Sequence, residues 1–281
     1  MDFLKYMKRP ALMFAFVSAL FISKNTCCQI YDSAHIRAMY SFLYRPDSNS
    51  LINVKEDVLV LEIGHKFSNF YSYYNQMSDS IISAAYNKQG GENTTSLSLT
   101  TKNVPIGSTK VILRNNVTNV YTITHELVLN SYKYVDSIKN INWAIKTDTA
   151  TISGYKCIKA VAPFRGRIYE AWFARDIPVS SGPHLFSGLP GLIVRIKDIK
   201  ENFEYKLLSL ELLHEKKPIA FDRKKTISVT RQVYRRLVQN MINDMDGFAA
   251  SQGMIFKTKS IDGVSNPPPP PKPPYNPIEL E

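Results

Sequence analysis

Polar and apolar residues alternate along much of this 281-residue chain, and the alternation predicts strands more often than helices. From His35 to Leu43, Ile36, Ala38, Tyr40 and Phe42 fall on one face, with Arg37, Met39 and Ser41 on the other, which predicts a half-buried strand. Asp57 to His65 reads as a second strand leading into Phe67-Ser-Asn-Phe-Tyr-Ser-Tyr-Tyr74, and residues 77–88 as a short helix closed by Gly90-Gly91. Thr109 to Leu113 and Val120 to Leu129 predict a hairpin around Asn115-Asn116 and Asn119. Gly154 to Ala162 and Arg167 to Ala174 flank Pro163-Phe-Arg-Gly166 as another, and Leu192 to Asp198 pairs with Phe203 to Leu213 through Lys200-Glu-Asn202. These strands follow one another without intervening helices, so an antiparallel sheet is expected.

One stretch has a helical period instead. Val229, Val233, Tyr234, Leu237, Val238, Met241, Ile242 and Met245 fill a single stripe. Ser228 or Thr230 stands where an N-cap belongs, and Gly247 where a C′ glycine belongs. The opposite face carries Arg231, Arg235, Arg236 and Gln239, a solvated face unless an anionic partner meets it. Beyond it, Asn266 to Pro277 is dominated by proline, which fixes an extended polyproline form and excludes sheet or helix. This strut either holds the terminal Ile-Glu-Leu-Glu near a partner or lays it across its own domain.

The first residues stand apart from this pattern. Lys5, Lys8 and Arg9 precede an uncharged apolar run from Ala11 to Ile22, too short to span a bilayer comfortably but the length of a secretory leader's core. Cleavage is expected before Gln29, making residues 1–28 a signal peptide and placing the mature protein in the periplasm or at the outer membrane. Acylation of Cys27 or Cys28 is the weaker alternative, since Lys24 or Asn25 occupies the position where a lipobox carries an aliphatic residue. Cleavage leaves Cys157 alone, which excludes an internal disulfide and two-cysteine metal or redox motifs.

Composition changes this picture little. Hydrophobic content of 44% with 11% aromatics is that of a folded domain with a sizeable core. Residues 1–28 hold Lys5, Lys8, Arg9 and Lys24 against Asp2, so removing them takes the net charge from +11 to about +8. A basic envelope protein suits anionic headgroups, polysaccharide or an acidic protein, and nucleic acid is not expected outside the cytoplasm. Scattered lysines and arginines that maintain solubility explain the same charge more simply.

Phe186-Ser-Gly-Leu-Pro-Gly-Leu-Ile193 places Pro190 directly before Gly191, the chemistry of a type II turn, with Gly188 marking a second special backbone position. Nothing in this segment is reactive, and it reads as a structural turn into a buried strand. Here the sequence resembles the GLPGLI family of exported proteins from Bacteroidota-type bacteria. The blocks Tyr155-Lys-Cys157, Phe164-Arg-Gly-Arg167, Ala171-Trp172, Asp176-Ile-Pro-Val179 and Gly182-Pro183 carry the resemblance upstream. Ser68-Asn-Phe-Tyr-Ser-Tyr73, Asp79-Ser80 and the closing Tyr275-Asn-Pro-Ile-Glu-Leu-Glu281 extend it over nearly all of the mature chain. The resemblance implies export, and brings no activity, substrate or cofactor with it.

Candidate chemistry is sparse. Cys157 as a nucleophile needs a base such as His184 beside it, whereas an alternating strand more often buries such a cysteine. His35, His65, His125, His184 and His214 share no metal-ligand spacing, so neither a metal nor a cofactor is expected. Along Arg167 to Asp176, Arg167, Tyr169, Ala171, Phe173 and Arg175 share one strand face, and Glu170, Trp172 and Asp176 the other. Serine-elbow, zincin and phosphate-loop motifs are missing. Arg165, Arg167, Trp172 and His184, placed by the bend, are the candidate ligand-binding residues.

The expected fold is α+β and mainly antiparallel β, one domain over residues 29–265, forming a large curved sheet or open half-barrel with a few helices packed against it. The expected function is non-enzymatic binding, or chaperoning, of a hydrophobic, lipidic or peptide ligand. A periplasmic hydrolase or thiol enzyme using Cys157, His184 or the Glu170 and Asp176 carboxylates is the first alternative. An accessory subunit of an outer-membrane complex is the second.

Overall fold

The structure, a computed structural model, describes residues 29–49, 52–88, 106–221, 225–254 and 275–281. The leader at 1–28, Gly90-Gly91 and the proline run at 266–274 lie outside the described residues.

Among the described residues, twelve strands form one open sheet. They are β1 (Gln29–Tyr44), β2 (Lys55–Gly64), β3 (Phe67–Ser72), β4 (Val111–Asn115), β5 (Val120–Leu127), β6 (Asn130–Ser137), β7 (Ala144–Ile152), β8 (Tyr155–Phe164), β9 (Arg167–Ala174), β10 (Leu192–Asp198), β11 (Phe203–Phe221) and β12 (Thr226–Ser228). Their spatial order is β12-β6-β5-β4-β3-β2-β1-β11-β10-β9-β8-β7. Every pairing is antiparallel except β12 on β6. The expected mainly antiparallel sheet is therefore the fold, with three helices: α1 (Tyr73–Lys88), α2 (Arg231–Asn243) and α3 (Met245–Ser251).

The alternation of β1 does what its sequence predicts. Ile36, Ala38 and Tyr40 are buried in the main core, while Ala38 pairs with Leu61 on one side and Leu210 on the other. Register shifts between β1 and β11 at Ile30/Asp32, Ala34/Ile36 and Met39/Tyr40 insert bulges, which bend a strand and raise its twist. The sheet rolls far enough that Arg165, in the β8–β9 turn, meets Asp136 on β6.

The roll is filled by its own connector, residues 175–191. Leu185, Phe186 and Leu189 are fully buried there, beside Tyr121, Tyr169 and Phe173 of the sheet. Two carbonyls buried here are satisfied by ring donors: Trp143 Nε1 donates to the Ser187 carbonyl (2.9 Å) and Tyr40 Oη to the Ile193 carbonyl (2.8 Å), just past the connector.

Three sequence expectations are corrected. Leu189 does not begin a type II turn, because the Leu192 N–H that would close it donates instead to Ile177 O (3.0 Å). A tighter turn forms, with the Gly191 N–H on Leu189 O (2.9 Å) and Pro190 between them. Gly191, at φ +155°, sits against the Ala174 carbonyl, 2.1 Å from where a Cβ would lie. Gly247 is not a C′ glycine: the long helix stops at Asp244, whose carboxylate accepts the Gly247 N–H (2.9 Å) and caps a new helix. An aspartate N-cap with seven residues of helix after it overrides the stop expected from the glycine. Thr230 caps α2, as its position suggests. The first helix starts at Tyr73 rather than residue 77, since Ser72 Oγ accepts the Asn75 N–H (3.2 Å).

Candidate functional site

The inner face of β1, β3 and β11 supplies an aromatic wall. Phe42 stacks on Tyr205 (4.3 Å between centroids) and on Tyr44 (5.1 Å), and Phe70 meets Tyr205 edge-on (6.3 Å). These rings, with Phe203, Leu59 and Ile112, line a cavity of about 370 Å³. Ile278 of the C-terminal tail completes the lining.

Asp57, Lys110, His125 and His184 are the main polar side chains on this cavity's wall, with exposed Glu56 at its edge. Asp57 accepts from Ser72 Oγ (2.8 Å) and the Ser108 N–H (2.9 Å). His125 Nδ1 lies 2.7 Å from Tyr234 Oη, and burial, helped by the nearby Lys110 charge, pushes its pKa down to about 3. Burial alone would lower the Lys110 ammonium, yet Tyr234, Tyr134 and Glu279 hold it above its ordinary value. Lys110 also lies over the Tyr234 ring, 5.9 Å from its centroid.

His184 is the most constrained of these side chains. It is delivered by the connector in the left-handed region (φ +55°), is buried, stacks toward Tyr205 (6.4 Å), and its Nδ1 has no partner among the described residues. Burial pushes its pKa down to about 3, opposed by the Glu279 carboxylate and reinforced by Lys110 and Arg165. A strained backbone carrying an unsatisfied imidazole into an apolar cavity is the kind of cost that marks a functional position.

The tail closes the structure beside it. Glu279 accepts from Arg231 (2.6 Å) and lies 3.5 Å from Arg165, while Asp136 takes Arg165 (2.6 Å) and Arg231 (3.7 Å). Arg167 reaches Asp198 (3.2 Å), Asn276 Oδ1 (2.6 Å) and the Pro277 carbonyl (2.7 Å), and Tyr169 Oη donates to Ile278 O (2.9 Å). Arg235 Nη2 donates to Leu280 O (2.8 Å), so the basic face of α2 receives the chain's own end.

Of the residues singled out from sequence, His184 lines the cavity and Arg165 and Arg167 hold the tail that walls it. Trp172 is elsewhere, on the opposite face of β9, donating to Glu170 (3.0 Å) with Lys159 over its ring. Gly188 and Gly191 take positive φ and act through the backbone. Cys157 is buried and bonds Tyr155 O, and burial pushes its thiol up, away from a nucleophile's range. Among the described residues, no hydrogen bond joins it to a histidine. Glu170 pairs with Lys159 (2.8 Å), and Asp176 is exposed. Lys110, Tyr205 and Glu279 were not singled out from sequence, and His125 was named there only as one of five histidines without metal-ligand spacing.

Sheet, inserted connector and docked tail define a class: an open antiparallel roll that encloses an aromatic cavity. Residues 164–195, which contain the hexapeptide, match the family described as "Protein of unknown function (Porph_ging)". No match was found among curated proteins. Among solved structures the fold is similar to PNGF-II in a P21 crystal form, at 13% identity and a TM-score of 0.50, over 75% of this chain and 34% of that one. A C2 form of PNGF-II aligns at 14% identity and a TM-score of 0.48, over 74% and 33%. The chain thus spans about a third of the length of these structures, and the likeness is one of fold. Among the described residues no helix is long and apolar enough to cross a membrane.

Proposed function

We propose that this protein is an exported, GLPGLI-type envelope protein that binds a small apolar or amphiphilic ligand in the cavity between the sheet and its tail. The aromatic wall of Phe42, Phe70, Phe203 and Tyr205 carries this reading. Cavities of a few hundred Å³, lined by rings and a handful of placed polar atoms, suit ligands of this size. The buried His184 Nδ1 offers such a ligand one polar contact, and Lys110 a second.

The protein purified from its native envelope is expected to carry a bound small molecule in native mass spectrometry, released on denaturation. Leu59→Trp, which fills the cavity, is expected to remove it. An unliganded native mass, together with no binding across panels of apolar small molecules, lipids and peptides, overturns the reading.

A further inference from the structure

A second site lies on the other side of the connector. Where Gly188 is exposed, it joins Leu189, Ser180, Trp143, Asn142 and Arg114 around an open groove of about 980 Å³. Its lining also includes His35, His65, Asn116, Asn119 and Asn140, and no aspartate or glutamate.

Arg114 is the reason to expect a ligand. Its side chain belongs to β4 and is more than nine-tenths buried (8% exposed). Nη1 donates to the Ser180 carbonyl (3.2 Å) and Nη2 to Asn119 Oδ1 (2.7 Å), and the guanidinium lies over the Tyr121 ring. Nε has no partner, and no carboxylate lies within ion-pair distance among the described residues. A buried cation without a counter-ion is costly, and a charge-assisted bond to an anion relieves that cost. His35 also lines the groove; its Nδ1 is a second buried atom with no partner among the described residues, and its ring stacks on His65 (4.5 Å).

The rest of the lining narrows the anion. Asn140 and Asn142 are exposed, each with an amide that both donates and accepts. Trp143 is pinned by its bond to Ser187 O, giving a fixed apolar ring edge beside them. Amides and an indole are little use to a bare inorganic ion but suit a ring bearing hydroxyls. We propose that the groove binds a small hydroxylated anion, a sugar carboxylate or sugar phosphate, with its charge on Arg114 and its hydroxyls on Asn140 and Asn142.

Isothermal titration calorimetry of the mature protein with glucuronate, glucose 6-phosphate, glucose and inorganic phosphate tests this. At least one sugar anion is expected to bind about tenfold or more tightly than glucose or phosphate, one charge-assisted bond being enough for that factor. Which of the two binds better separates carboxylate from phosphate. Arg114→Met is expected to weaken it at least about tenfold, and Asn140→Ala with Asn142→Ala severalfold without changing phosphate binding. If Arg114→Met does not fold, the exposed double substitution decides. Failure of both sugar anions to bind, equal binding of glucose or phosphate, or an unchanged affinity in the double variant overturns the proposal.

Discussion

Arg165 Nη2 lies 2.6 Å from Asp136 Oδ2, joining the β8–β9 turn to β6, which stand near opposite ends of the strand order. The sheet is open by hydrogen bonding yet fastened across its opening by side chains. Arg165 adopts φ +50° there, unusual for a residue with a side chain, in a two-residue turn with Gly166 that matches the twist of the flanking strands.

Asp136→Ala is expected to destabilise the fold by about 2–4 kcal/mol, because it strands Arg165 with one weaker partner. Urea unfolding measures it, and a change within about 0.5 kcal/mol, the range of ordinary surface substitutions, would show the fastening to be incidental.

Deleting residues 275–281 leaves Arg167 with Asp198 and Arg231 with Asp136, removes their tail partners and that of Tyr169, and uncovers the cavity at Ile278. Loss of several bonds at about 1 kcal/mol each is expected to lower stability by about 3–5 kcal/mol and to quicken exchange of an apolar probe. A truncated protein as stable as the full chain contradicts a sealing role.

Acid should weaken the protein early. His184 and His125 have folded pKa values pushed down to about 3, below the 6.5 of an exposed imidazole. The unfolded chain therefore binds their protons first as pH falls, so their contribution is present above about 6.5 and is lost between there and 3. Each histidine contributes a slope of up to about 1.4 kcal/mol per pH unit in that window. Glu279, whose carboxyl is held down by His184, Lys110 and Arg231 against its burial, adds a further loss below its ordinary range. Denaturation from pH 7 to pH 4 checks the slope. His184→Asn, which tolerates the left-handed backbone, is expected to flatten it, and an unaltered slope would place the titration elsewhere.

Gly191→Ala is expected to cost about 3 kcal/mol or more, since its Cβ would fall 2.1 Å from Ala174 O at φ +155°. Gly154→Ala is the control: φ is +85° with nothing within 4 Å, so only backbone strain of about 1–2 kcal/mol is expected. Similar losses at both positions would mean that contact with Ala174 is not what requires glycine in the hexapeptide.

These cases show which parts of the fold were legible. β1 and the 155–174 hairpin were readable because one buried face imposes a period of two, and β2, buried on both faces from Leu59 to Gly64, because it is a mostly apolar run. β7, exposed along nearly its whole length, carries no such period, and β12 is three residues held by β6. β6 was missed although Tyr132 and Tyr134 alternate with polar residues, because exposed Val135 breaks the alternation and its other positions are polar. Burial of Leu185, Phe186 and Leu189 depends on the sheet curling around them, a tertiary fact that local pattern does not contain. The candidate site divides the same way. His184 was marked by position, while Tyr205 on β11 and Lys110, just before β4, join it on the cavity wall only through the roll of the sheet.

The aromatic cavity is tested most directly by fluorescence titration with an uncharged apolar fluorophore of naphthalene size, using wild-type protein and Leu59→Trp. Saturable one-site binding is predicted for the wild type, weakened by about tenfold or more in Leu59→Trp, while circular dichroism shows the fold retained. Absence of saturable binding, or equal affinity in a folded Leu59→Trp protein, would contradict a ligand-holding cavity.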